Sequence, residues 1–436
     1  YRSTSTILDA ANSVIANNPD RLGKNLWTDG EQGKPLSLYA GFNEQDEARF
    51  IVERIKDHVS EDSLLSEQSI LYRSNAQSRV IEEELIRNGI AYRIYGGQRF
   101  YERLEIKNAV AYMRLAYARD DDAAFERVVN TPPRGIGNKT VEILRTRAKQ
   151  DSSSLWAASE SLINESKLTR RALLALQSFL DLILQFTALS KNLDLDDFSD
   201  QIIDKSGLID FHGKEAGEKG LARVENLQEL INATRQFEPE EEDNILSEFL
   251  DTAALDAGEQ QADEYADAVQ LMTLHSAKGL EFPIVYLAGV EENLFPHKMS
   301  IDEPGRLEEE RRLCYVGITR AKKILYLTYA ETRRWYGQET FNSVSRFVRE
   351  IPNECINEVR INNNISRPLS AGFSNTNIQS DSDFALQLGQ RVKHSIFGSG
   401  VVLNIEGQDN NARVQVNFDN AGSKWLVASF ANLEVI

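Results

Sequence analysis

The period of the apolar positions changes along the chain, and each change marks a boundary. Between Ser37 and Tyr95 short apolar runs alternate with amphipathic stretches. These are SLYA (37–40), a helix-like span from Asn43 to Val59, SILYR (69–73), a second helix-like span from Gln77 to Asn88, and AYRIY (91–95). Strands that alternate with helices predict a parallel sheet with both faces covered. The rhythm stops at Gly96-Gly97. From about Glu102 to Ala262 only helical spacing remains, as in LLALQSFLDLILQF (173–186) and ARVENLQELINATRQF (222–237). VQLMTL (269–274) and IVYLAGV (284–290) then read as buried strands, and a charged helix from Leu307 leads into ILYLTY (324–329). The pattern predicts one α/β parallel-sheet domain, in two parts at 1–96 and 266–352, interrupted by a large all-helical insert at 97–265.

An Asn- and Ser-rich stretch with little apolar content predicts a flexible linker over 353–386. After it GQRVKH, GVVLNIEG, ARVQVNF and KWLVASF, separated by Gly and Asn turns, predict a small β-barrel of about five strands over 387–436.

Composition narrows the classes. The 436 residues carry 49 Lys and Arg against 67 Asp and Glu, a net charge of −18, which argues against a globally basic nucleic-acid coat. A local basic groove stays possible, because steering depends on where charge sits. Two cysteines, Cys314 and Cys355, cannot build a disulfide framework, and the five histidines are scattered, so no metal site is expected. No apolar run approaches the ~18 residues of a membrane helix, so no membrane partner is expected. The chain opens at Tyr1-Arg2-Ser3, which reads as a piece of a longer protein.

Three constellations could carry chemistry. Arg134-Gly135-Ile136-Gly137-Asn138-Lys139-Thr140 follows Pro132-Pro133 where a helix should start. It lacks the Gly-Lys-Ser/Thr ending of a P-loop. A Gly-x-Gly turn opening a helix exposes N–H groups that suit a nucleic-acid phosphate, with Arg134 and Lys139 adding charge. A helix–helix packing joint is the other reading. The second, Thr273 to Phe282, leaves the end of a predicted parallel strand, where α/β folds place their sites. The third, Glu308 to Lys323, begins acidic and ends basic, as a helix dipole favours. Within it Arg320 closes the helix before a strand, placed to project a guanidinium into a cleft against a triphosphate.

Together these residues resemble superfamily 1 DNA helicases, most closely the bacterial UvrD-like type. YRSTSTIL resembles that family's motif IV, TLHSAKGLEFP (273–283) its motif V, and EEERRLCYVGITRAKK (308–323) its motif VI. The RGIG turn matches the family's insert, and the tail resembles its SH3/Tudor-like barrel. The resemblance implies a RecA-like sheet domain with ATP and Mg²⁺ as cofactors. It implies that Arg2 and Arg320 contact the γ-phosphate as catalytic residues, with Glu281 and Gly279 also on the nucleotide side. It implies that Arg73, Thr273 and His275 face single-stranded DNA. Arg134, Gly135, Gly137 and Lys139 are then expected on the duplex of a junction. DNA-repair proteins docking on the tail, a role in repair and replication, 3′→5′ unwinding and a cytoplasmic location are further implications.

The sequence also departs from the family. It shows no P-loop, and the Mg²⁺ ligands are expected in an N-terminal half outside it, so the fragment alone is expected to be catalytically silent. The alternatives are a non-catalytic DNA- or partner-binding module and a Rep-like sister helicase.

Overall fold

The computed structural model describes residues 2–19, 26–239, 244–258, 266–301, 303, 305–335, 338–359, 391–394, 398–406, 413–418, 422–427 and 434–435. The chain divides into two compact units, Tyr1–Asn362 and Asn363–Ile436. The predicted linker lies outside the described residues from position 360 onward.

In chain order the first unit opens with α1 (Ser5–Ala16), β1 (Leu36–Gly41), α2 (Glu44–Ser60), β2 (Gln68–Tyr72), α3 (Ser78–Arg87) and β3 (Tyr92–Ile94). Helices follow: α4 (Leu104–Tyr117), α5 (Asp122–Val128), α6 (Asn138–Asp151), α7 (Leu155–Asn164), α8 (Arg170–Leu189), α9 (Leu195–Ser206), α10 (Leu208–Gly213), α11 (Glu218–Gln236) and α12 (Ile245–Gly258). The chain then returns through β4 (Val269–Thr273), β5 (Phe282–Leu287), α13 (Lys298–Ile301), α14 (Arg306–Ile318), β6 (Ala321–Ala330), β7 (Thr332–Trp335), β8 (Gln338–Phe341), α15 (Arg346–Arg349) and β9 (Ile356–Glu358).

The sheet has the order β3-β4-β2-β5-β6-β1-β9 and is parallel throughout. Its central strands are apolar on both sides because both faces are covered. Ile70, Leu271, Ile284 and Tyr286 point to the face where Phe50, Ile51 and Ile55 of α2 pack with Val80, Ile81 and Leu85 of α3. Leu71, Met272, Val285 and Leu287 point to the other face, against Ile7 and Val14 of α1 and Leu313, Cys314 and Ile318 of α14. Helix α2 begins where the pattern placed it, since Asn43 Oδ1 accepts the Asp46 amide at 2.9 Å and the first turn is acidic.

Helices α4 to α12 enclose a separate core around Tyr112, Phe125, Phe179, Phe186 and Phe198. One helix corrects an expectation. α8, with 20 residues and a mean hydropathy of 1.7, is long and apolar enough to cross a membrane. It buries Leu176, Phe179, Leu180, Ile183 and Phe186 in the helical core and exposes Leu174 and Leu184. The sequence pattern missed this because Asp181 interrupts the run in letters but not on the buried face.

Helix α11 joins the two cores. Leu227, Leu230 and Ile231 enter the helical core, while Glu225, Asn226, Glu229 and Asn232 form a buried polar face. On that face Arg79 of α3 donates to Glu229 at 2.7 Å and Arg103 donates to Asn226 at 2.9 Å. Ser74 donates to Glu225 at 2.5 Å, and Gln236 donates to Glu44 at 3.0 Å.

Three features escape the sequence pattern. The antiparallel hairpin β7–β8 and the short β9 follow the last predicted strand, and α1 precedes the first. β9 pairs in parallel with β1, Leu36 opposite Ile356, so the sheet extends past position 352 into the expected linker. Its sequence, Ile-Asn-Glu, is too short and polar to carry a period.

In the second unit β10 (Arg391–His394), β11 (Gly398–Glu406), β12 (Arg413–Phe418), β13 (Gly422–Val427) and β14 (Glu434–Val435) form an antiparallel sheet. Its order is β13-β12-β11-β10-β14, with a register shift between Val402 and Asn404.

Candidate nucleotide and nucleic-acid sites

The residues singled out from the sequence fall into three places. The loop between β4 and β5 explains the first two, because successive parallel strands oblige it to cross from one sheet edge to the other. Thr273 ends β4 opposite Tyr72, at the carboxyl edge. Phe282 begins β5 opposite Ala321, at the amino edge. Only the first half of the loop therefore sits where α/β folds usually place sites. Gly279 and Glu281 lie at the opposite end, a correction to the reading of the loop as a carboxyl-edge feature.

At the amino edge Arg2, Glu281 and Arg320 come together. Thr4 N donates to Lys322 O at 3.1 Å, which holds the Arg2 segment beside the start of β6. Arg2 is 77% exposed and its Nη1 lies 3.9 Å from Glu281 Oε2. Arg320 follows the end of α14, where carbonyls lack helical partners. It folds back onto them: Nε donates to Val316 O at 3.0 Å and Nη2 to Thr319 Oγ1 at 3.1 Å. Its Nη1 donates to Leu280 O at 2.7 Å, next to Glu281. Arg2 thus reaches the Glu281 carboxylate while Arg320 holds the backbone carbonyl just before it. Gly279 has φ +94°, a conformation that favours glycine, and a Cβ there would meet nothing within 4 Å.

At the carboxyl edge Arg73, Thr273 and His275 line one groove of about 870 Å³ together with Arg103, Lys219 and Arg306. Its facing wall is the start of α11. Arg73 is already committed: Nε lies 3.0 Å from both Glu310 oxygens and Nη2 2.8 Å from Oε1. Burial opposes its charge, but the hydrogen bonds and charge of Glu310 outweigh that and raise its pKa further above the ordinary arginine value. Thr273 Oγ1 lies 3.1 Å from Ser276 Oγ, which tightens the turn under exposed His275. Sequence reasoning missed His297, whose Nε2 meets Glu225 at 3.1 Å in the same groove. It lies in no periodic element, so nothing in the pattern flags it.

The third place is the turn before α6. Gly135, Gly137 and Lys139 are exposed, and Gly137 is the N-cap. Arg134 does the reverse of what the sequence suggested. Its guanidinium turns inward, donating to Val128 O at 3.2 Å, Pro132 O at 3.1 Å and Ser206 O at 3.0 Å.

Among the described residues no group of three or more His, Cys, Asp or Glu is placed to hold a metal ion.

Comparison with known proteins agrees with this layout. The chain matches the UvrD-like helicase C-terminal domain over residues 1–332 and the PcrA/UvrD tudor domain over residues 388–434. It is 54% identical over 439 residues to DNA helicase II of Escherichia coli (strain K12) and 39% identical over 453 residues to the ATP-dependent DNA helicase PcrA of Bacillus subtilis (strain 168). Each alignment takes in 100% of this chain and 61% of the relative, so the chain spans about three fifths of their length. On a RecA-like parallel sheet, with motif residues gathered at both of its edges, the chain belongs to the UvrD-like helicase C-terminal domain family.

Proposed function

We propose that this chain is the second motor part of an ATP-dependent 3′→5′ DNA helicase acting in repair and replication. The observation that carries the reading is the division of labour across one sheet. Arg2, Glu281 and Arg320 gather at its amino edge, and Arg73, Thr273 and His275 at its carboxyl edge. The loop between β4 and β5 links the two sets directly.

The residues fit a nucleotide triphosphate. ATP with Mg²⁺ would supply the hydrolysable phosphoanhydride, and a P-loop and Mg²⁺ ligands from another segment would complete the site. Arg2 is exposed and, among the described residues, is held only by a long side-chain contact to Glu281, so its fork is available to a γ-phosphate. Arg320 reaches the same place by trading carbonyl partners, Leu280 O among them, for phosphate oxygens, and Glu281 orients Arg2. Gly279 gives the loop the backbone freedom to transmit that change to Thr273 and His275. Single-stranded DNA in the groove would then be gripped or released with the nucleotide state, chiefly through its backbone. The turn at Gly135 and Gly137, with Lys139, faces the duplex of a single-strand/double-strand junction. The tail serves as a docking barrel for DNA-repair proteins, and the setting is cytoplasmic.

The test is DNA-stimulated ATP hydrolysis by the chain alone, by the chain mixed with a separately produced P-loop domain, and by the mixture carrying Arg320→Ala. Silence alone, turnover on mixing and loss in the variant are expected. Turnover by the chain alone would refute the division of the motor. Silence of the mixture would favour a non-catalytic DNA-binding module.

A further inference from the structure

The turn before α6 separates the charge that braces it from the charge that faces outward. Arg134 is the brace. Its three carbonyl partners are Val128 O at the end of α5, Pro132 O in the loop and Ser206 O at the end of α9. Its guanidinium also lies 5.6 Å from the ring centroid of Tyr112 and 5.7 Å from that of Phe179, tying the loop to α4 and α8. A planar fork can serve carbonyls in several directions while stacking on rings, which an ammonium cannot. Around it Asn130 Oδ1 accepts the amides of Arg134 at 2.8 Å and Ile136 at 3.2 Å. Tyr112 Oη donates to Thr131 O at 2.6 Å. With both terminal nitrogens of the fork on carbonyls and its plane against two rings, most of Arg134 is spent inside the turn.

The outward charge comes from elsewhere. Arg171, in the first turn of α8, places its Nε 3.6 Å and Nη2 3.7 Å from the position a Gly135 Cβ would take. Arg171 and Lys139 are exposed and make no hydrogen bond or ion pair with another described residue. Gly135, at φ +86°, holds a backbone conformation that favours glycine, and a Cβ there would only touch the Arg171 guanidinium at ordinary van der Waals distance.

We infer that Arg134 is a positioning residue, and that Arg171 with Lys139 carries the charge that meets a duplex phosphate at this turn. The inference rests on the reading of this turn as a duplex contact.

The full chain is titrated with a fluorescent duplex bearing a 3′ single-stranded tail across a KCl series. Arg171→Ala and Lys139→Ala are each expected to weaken binding and to flatten the log–log salt slope by about 0.9. Arg134→Ala is expected to weaken binding, and Arg134→Lys to weaken it as much, because the charge returns without the fork. In the K139A/R171A background, adding R134A is expected to change neither Kd nor slope. Wild-type affinity in R134K, or a further drop of about 0.9 in the slope when R134A is added, would make Arg134 a phosphate contact and overturn its assignment. A K139A/R171A variant matching wild type in Kd and slope would overturn the role of Arg171 and the duplex reading together. The brace is then read by itself, as faster amide exchange over 130–137 in R134K, and unchanged exchange would remove it too. If Arg134 variants do not fold, Tyr112→Phe deletes the hydroxyl's contacts to Thr131 O and Val128 O and no charge. It should weaken junction binding several-fold with the folded content intact, and unchanged binding would count against the brace.

Discussion

The fork of Arg73 lies against Glu310, a carboxylate whose side chain is only 4% exposed, and this pairing sets what single substitutions there can do. Glu310 also accepts from His297 N at 3.1 Å, but that cannot offset a buried charge left without its cation. Arg73→Ala should therefore destabilise the first unit by about 3 kcal/mol, read as a lower urea midpoint at unchanged slope. A change under 1 kcal/mol would show that water or Lys219 replaces the guanidinium, and would release Arg73 for a purely DNA-facing role. Arg320 predicts the opposite profile. Its guanidinium satisfies carbonyls at a helix end rather than a buried carboxylate. Arg320→Lys should keep stability within about 1 kcal/mol while abolishing ATP turnover in the mixed motor, because a lysine cannot span both carbonyl and phosphate. The sequence made these residues legible as types in a spacing, and the helix dipole made the end of α14 legible as a basic position. The direction of each side chain was not legible. Arg134, in the loop before α6, turns onto the rings of Tyr112 and Phe179 and the Ser206 carbonyl, whereas Arg320, just past α14, turns back onto Val316 O and Leu280 O, and only the packing around each decides it.

Elements were legible in proportion to how much apolar surface they bury. β2 is buried throughout and β4 and β5 over most of their length, so their apolar runs announced them. The hairpin β7–β8 and the edge strand β9 escaped because their sequences answer to a few polar anchors. Arg333 of β7, for instance, sits between Glu47 and Glu291 at the carboxyl edge, its Nε 2.7 Å from Glu291. Asp267 is another such anchor, joining the start of β4 to the turn before β2. Its carboxylate accepts the amides of Ser66 at 2.7 Å and Leu65 at 3.1 Å. Partial burial alone would raise its pKa, but those hydrogen bonds outweigh it and hold the carboxyl below the usual aspartate value. A depressed folded-state value means the stabilisation is present above the unfolded pKa, near ~3.9, and is lost as pH falls through the lower folded value. Asp267→Ala should cost about 1 kcal/mol at neutral pH, as a lost cap does, and the deficit should vanish below that window. A deficit that persisted at acid pH would show that Asp267 acts through packing and not through its charge.

At the scale of the whole first unit, two hydrophobic systems meet across a polar seam. Among the described residues the sheet cores and the helical core share no single apolar cluster, and α11 presents Glu225, Asn226, Glu229 and Asn232 to the sheet layer instead of leucines. Such a seam gives orientation through hydrogen-bond geometry and comparatively little net attraction, because desolvating its charges offsets most of the Coulombic gain. Arg79 is its centre, 2% exposed and shared among Glu229, Glu83 and Gln236 at 2.7–2.8 Å. Burial disfavours its charge, yet the two carboxylates keep it firmly protonated, so the seam does not loosen by titration of the arginine. It should loosen when the arginine is removed. Arg79→Ala leaves Glu229 buried without its cation, at a cost of about 3–5 kcal/mol that falls on the seam and on neither core. Calorimetry should then resolve two transitions for this unit in the variant against one expected in the parent, with protection of α11 amides lost in the lower one. A single transition shifted as a whole would mean that the layers remain coupled through contacts away from Arg79. The polar face of α11 would then be a packing detail of one core and not the joint between two.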